Sequence, residues 1–168
     1  FSVVSEGNLR MLALNTINAR TVNIETKGSF DTFAGTINGN ESVTLSAAKD
    51  ILAGNITAKV NSPVLTLNSA GKIGEDASKR FTANTGTKTA LIANADDVFL
   101  QGGALKTFTI GGGSATGVFD VLGAGTTLIS GDITSGDDLK ISTPSGNLTV
   151  GENVSLLSGK NMTLEITN

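Results

Sequence analysis

Apolar residues in this chain recur in pairs at i and i+2, usually bounded by Gly, Asn, Asp or Ser. Such alternation marks short strands with one buried face. The series runs Val22/Ile24, Val43/Leu45, Leu65/Leu67, Leu91/Ala93, Phe108/Ile110, Leu139/Ile141 and Met162/Leu164. Within it, V-T-L-S-A-A-K-D-I at 43–51 returns as L-T-L-N-S-A-G-K-I at 65–73, a step of 22 residues from Val43 to Leu65. A unit this short buries no core alone. It becomes stable by stacking on copies of itself, which is the sequence signature of a solenoid.

A second pattern marks the corners. Asp or Asn followed by an aliphatic residue opens strand after strand: Asn8-Leu9, Asn23-Ile24, Asp50-Ile51, Asn55-Ile56, Asp97-Val98, Asp132-Ile133, Asp138-Leu139, Asn147-Leu148, Asn153-Val154 and Asn161-Met162. Both residue types tolerate left-handed backbone and bond to their own turn. In the C-terminal third, Leu128, Ile133 and Leu139 are followed by Leu148, Val154 and Met162, which suggests three strands per coil. An antiparallel sandwich or barrel would need hairpins every 8–12 residues, roughly, and has no reason to repeat in register. Helical periodicity is missing; Leu9 to Leu14 is the nearest candidate and reads equally as strand.

The expected fold is therefore all-β: a right-handed parallel β-helix, or three-sided β-solenoid. Its coils hold about 20–25 residues, and one segment runs through residues 1–168. Seven or eight such coils at ~4.8 Å would make a rod of ~35–40 Å. The inward ladder is expected to include Val43, Leu45, Ile51, Leu65, Leu67, Ile73, Leu139, Ile141, Met162 and Leu164. Phe30, Phe81, Phe99, Phe108 and Phe119 would fill wider corners or cap the column, and residues 111–127 would form an irregular turn region.

Composition sharpens this picture. Of the 168 residues 39% are hydrophobic, but only 4% are aromatic and 16% charged. Gly, Thr, Ser and Asn fill the difference, which suits tight turns and pleated surface and suits helices badly. A net charge of −3 offers no basic stripe for nucleic acid. No apolar run approaches the ~20 residues that span a bilayer, so neither nucleic acid nor membrane insertion is expected. Phe1 in place of an initiator Met suggests a processed product or an excised piece.

Candidate chemistry is sparse. The chain has no His, Cys, Trp or Tyr, which removes the commonest base, the thiol and the aromatic platforms for sugars and bases. Glu75-Asp76, Asp96-Asp97 and Asp137-Asp138 are adjacent carboxylates, and strand neighbours point to opposite faces, so corner turns explain them better than acid–base pairs do. Gly111-Gly112-Gly113-Ser114 and the G-T-K-T at 86–89 lack the order of a phosphate loop. The N-x-S/T sequons at Asn40, Asn55, Asn147, Asn153 and Asn161 carry no information in a chain so rich in these residues. Stacking would bring Thr44, Thr66, Thr109 and Thr163 into one outward file, but Asn23 and Lys140 break the regularity that ice binding demands. No catalytic, cofactor or metal residue is assigned.

The run V-T-L-S-A-A-K-D-I-L-A-G-N-I-T-A, then L-T-L-N-S-A-G-K-I-G-E-D and A-L-I-A-N-A-D-D-V-F-L at 90–100, resembles the repeats of filamentous haemagglutinin-type exoproteins. The resemblance covers most of the chain and is clearest at 43–100 and 129–166. It implies a secreted surface adhesin or filament of a Gram-negative bacterium, often exported by two-partner secretion. The family's N-terminal secretion domain is not recognisable here, and no family catalytic motif exists to carry over. The expected role is a structural rod that is not an enzyme. Its partners would be flanking coils of the same chain or identical subunits end to end, with surface glycans as a further class. A glycan-binding module or a polysaccharide-degrading enzyme on the same fold are the alternatives.

Overall fold

The computed structural model describes residues 1–12, 15–53, 59–84, 90–103 and 107–167. The Asn55-Ile56 corner, its sequon, the G-T-K-T stretch and Leu14 lie outside them. The described residues contain no helix, and their strands stack in parallel as a β-solenoid of about seven turns. All belong to one continuous 20-stranded sheet wound about the axis.

The winding follows from the alternation. Ser2–Ser5 pairs with the C-terminal half of Thr16–Thr26, that half with Thr36–Ala47, and so on through Val64–Ser69 and Ala90–Ala95. In-register pairing sets each inward side chain over its equivalent one coil away. Val22, Val43, Leu65, Leu91 and Ile110 make one inward column; Ile24, Leu45, Leu67 and Ala93 make the next. Around the corner, Phe30, Ile51, Ile73, Val98, Phe119 and Leu139 make a third. All but Ala93 are large apolar side chains, and every one is at most 2% exposed. At about 25 cal/mol per Å² of apolar surface removed from water, this shared core is the main force holding coil to coil.

Several expectations about register need correction. Leu139/Ile141 and Met162/Leu164 do stack, as Leu139 over Met162 and Ile141 over Leu164, but they belong to the Ile51/Ile73 side and not to the Val43/Leu45 side. Ile110, not Phe108, stands over Leu91, and Phe108 faces Thr127. Leu128 meets Thr149 and Ile133 meets Leu156, so Leu148 and Val154 are not their partners. The outward file holds Asn23, Thr44 and Thr66 and then passes to Ile92 and Gly112. Thr109 is instead buried, and Thr163 lies beside Lys140. Asn23 sits mid-strand, not at a corner. Phe30, Phe81, Phe108 and Phe119 are buried, whereas Phe99 points outward beneath the Lys72 ammonium, 5.9 Å from its ring centre. The inward positions of its strand go to Val98 and Leu100.

Residues 111–127 are more regular than expected. Thr107–Ala115, Phe119–Leu122 and Thr126–Ile129 are strands in step with their neighbours. The irregular point is a one-residue bulge, because Leu91 pairs with Ile110 while Ile92 pairs with Gly112. The enlarged coil comes earlier, where Leu65 pairs with Leu91, a step of 26 residues. Part of that excess is a small turn after Ile73, opened by Gly74 at φ 75°, a conformation that favours glycine.

Candidate functional site

Three features stand out from the repeating background, and of these only the third, the Asp and Asn corners, was singled out from the sequence. The first is a buried ion pair. The turn at 74–80 folds over the outer face of the Asp97–Gly102 and Phe119–Leu122 strands and delivers Arg80 there. Its Nη2 lies 2.7 Å from Asp120 Oδ2, and the two side chains are only 8% and 10% exposed. Nη1 donates to the carbonyls of Asp120 and Leu100 at 2.9 and 3.3 Å, and Nε donates to Ala77 O at 3.1 Å. The planar guanidinium thus ties one turn to two successive coils. Asp120 Oδ1 is buried without a hydrogen-bond partner among the described residues.

The second is an amide ladder. Asn38 donates through Nδ2 to Asn18 Oδ1, Asn61 to Asn38 and Asn84 to Asn61, each at 2.6 Å. The column ends where Gly103 crosses Asn84, and a Cβ there would overlap the Asn84 side chain. Asn61→Ala should cost about 1–3 kcal/mol, because it strands the half-buried Asn38 carbonyl and the Asn84 amide together. Urea unfolding checks this; Asn18→Ala, which removes only the exposed end of the ladder, should cost clearly less.

The third is the spine of Asp and Asn at one corner. Asn8 Oδ1 accepts the Ser29 N–H, Asp50 Oδ1 that of Lys72, Asp97 Oδ1 that of Val118 and Asp138 Oδ1 that of Asn161. Each carboxylate or amide therefore bonds to the turn of the coil that follows. Burial pushes the Asp97 carboxyl up, but the Val118 N–H and the Lys72 ammonium hold it on balance below the usual carboxylate range. Three of these oxygens are roofed by glycine: Gly28 over Asn8, Gly71 over Asp50 and Gly117 over Asp97, and a Cβ at each would overlap the oxygen beneath. The Gly two residues before the inward-facing residue in G-S-F, G-K-I and G-V-F was the signal available in the sequence.

The adjacent carboxylates all sit in such turns. Asp96 accepts the Thr116 hydroxyl, Asp137 pairs with Lys160 at 2.8 Å, Glu75 with Lys79 at 2.7 Å, and Asp76 accepts the Ser78 N–H and hydroxyl. No three of His, Cys, Asp and Glu converge to hold a metal ion among the described residues. A shallow groove of about 330 Å³ runs across successive coils between Glu25/Lys27 and Asn94 by way of Ser46 and Asn68. The expected ladder residues occupy the axis: Val43, Leu45, Ile51, Leu65, Leu67, Ile73, Leu139 and Ile141 are fully buried, whereas Met162 and Leu164 in the last coil are 45% and 41% exposed. No protein-family model, curated protein or solved structure matches this chain.

Proposed function

We propose that this chain is a rod segment of a secreted bacterial surface adhesin or extracellular filament, and that its work is to hold distance and direction. The observation that carries the reading is the continuity of the inward columns from coil to coil, reinforced on the outside by the amide ladder and the Asp/Asn spine. Every one of these contacts joins a coil to its neighbour, so stability accumulates along one direction. The likeness of the 43–100 repeats to filamentous haemagglutinin-type exoproteins supports placing the rod outside a Gram-negative cell.

A deletion tests this directly. Because Val43 stands over Leu65 and Thr44 over Thr66, removing residues 44–65 joins Val43 to Thr66 and excises one coil in register. A rod should stay folded, shorten by about one 4.8 Å spacing, and leave display and adhesion on the parent bacterium intact. A folded deletion variant that loses adhesion or a bound glycan would overturn the reading. It would favour glycan capture in the groove instead, since Ser46, Ala47 and Ala48 line that groove and leave with the coil.

A further inference from the structure

The chain contains a single Asn-Gly step, Asn38-Gly39. Its glycine is forced by the corner. In the strand Thr36–Ala47, Gly39 pairs with Ala19 and Ser42 with Thr21, so Asn40 and Glu41 together face Arg20 alone. The backbone is so tight at this bulge that a Cβ on Gly39 would lie 2.5 Å from Ser42 O and 2.6 Å from Val43 Cγ2. No side chain fits there. The fold must therefore carry the dipeptide in which an asparagine is chemically least secure.

The weakness is intrinsic to the pair. The backbone nitrogen that follows an asparagine can attack its Cγ, and a glycine at that position puts no Cβ in the way. The Cγ–Nδ2 bond then breaks, Nδ2 leaves as ammonia with the proton lost by the attacking nitrogen, and a five-membered succinimide remains. Water opens this ring to aspartate or, through its other carbonyl, to isoaspartate, whose main chain is one methylene longer. Either product would damage the rod at this position. An aspartate has no N–H to give to Asn18 Oδ1 and would set two acceptors face to face. An isoaspartate would push its extra carbon into a strand paired on both sides, with Thr16–Thr26 and with Lys59–Asn61, and carry the residues beyond it out of register.

The Asn38 carboxamide is held at both ends. Nδ2 donates to Asn18 Oδ1 and Oδ1 accepts from Asn61 Nδ2, each at 2.6 Å. Cyclisation needs Cγ to swing out of this file onto the Gly39 nitrogen, which breaks both bonds. We propose that Asn38 is a latent modification site and that the amide ladder is the lock on it: deamidation is withheld while Asn18 and Asn61 grip the side chain, and proceeds once either lets go. The ladder thus guards the covalent chain as well as joining coil to coil. This inference stands apart from the rod reading, because the lock is the same whatever the coils around it are for.

The test is incubation of the 168-residue chain at mildly alkaline pH, with peptide mass spectrometry to follow the exchange of amide for acid at residue 38. A free peptide of residues 35–42 gives the unguarded rate. The natural chain should react far more slowly than that peptide. Asn61→Ala and Asn18→Ala should each speed the reaction at Asn38 about tenfold, the factor that corresponds to losing a hydrogen bond of about 1.4 kcal/mol. Phe119→Ala is the control. It empties a buried position remote from the ladder, so it weakens the fold and should leave Asn38 at its natural rate. A natural chain that deamidates at Asn38 as fast as the free peptide overturns the proposal. So do ladder variants that react no faster than the natural chain. Equal acceleration by Phe119→Ala overturns it too, since the protection would then lie in the stability of the whole chain.

Discussion

Phe119→Ala is expected to lower the unfolding free energy by about 3–5 kcal/mol, the range for truncating a fully buried aromatic side chain. Phe119 is 0% exposed and stands in its column between Val98 and Leu139. Beside it, the neighbouring column places Gly113 where the other coils carry Val, Leu, Ile or Ala, and a Cβ at Gly113 would lie 3.0 Å from Phe119 Cε2. One large ring therefore fills the space of two side chains, and alanine would leave a cavity on the axis. Urea unfolding measures the loss. Hydrogen exchange should place it locally, with protection falling first in the strands that flank Phe119 and last in the Val22–Ile24 coil, because coils in a solenoid couple only to their neighbours. Met162→Ala in the same column should cost much less, since Met162 is already 45% exposed. A uniform loss of protection along the whole rod would contradict the nearest-neighbour account.

The parts of this structure that were legible in the sequence are those with a local signal and a constant period. Val43 over Leu65, Leu45 over Leu67 and Ile51 over Ile73 follow from two copies of one pattern, and the coordinates pair them so. The i, i+2 alternation reports that a residue is on a strand but not on which side of the coil. Leu139/Ile141 therefore looked like Val43/Leu45 while belonging to another column. Thr109 dropped out of the outward file because Ile110, not Phe108, is the partner of Leu91, so Gly112 and not Thr109 stands over Ile92. The Asn ladder had a readable signal in amides at 18, 38, 61 and 84, but unequal steps of 20, 23 and 23 residues hid it among the many corner Asn. The Arg80–Asp120 pair had none. It spans 40 residues, its arginine arrives on a turn outside the repeat, and a single buried ion pair has no periodicity to read.

That pair gives the other large effect. Arg80→Ala should destabilise the chain by about 3–5 kcal/mol, because it leaves Asp120 charged, buried and uncompensated. Asp120 is 7% exposed and its Oδ1 lacks a partner among the described residues, so losing the guanidinium removes the cation paired with it. The turn at 74–80 would also lose the bonds from Arg80 to Leu100 O and Asp120 O, and hydrogen exchange around Gly74 should rise with it. Attraction between the charges is not by itself the source of stability here, since desolvating both costs several kcal/mol. Replacing both partners by apolar groups of similar volume, Arg80→Met with Asp120→Leu, should therefore recover most of the loss from the single variant and stands to exceed the natural chain by about 1–4 kcal/mol. Denaturant unfolding of the natural chain, both single variants and the double closes the cycle. If Arg80→Ala alone falls within about 1 kcal/mol of the natural chain, the site is as wet as an exposed ion pair and the clamp is not what holds the turn to the rod.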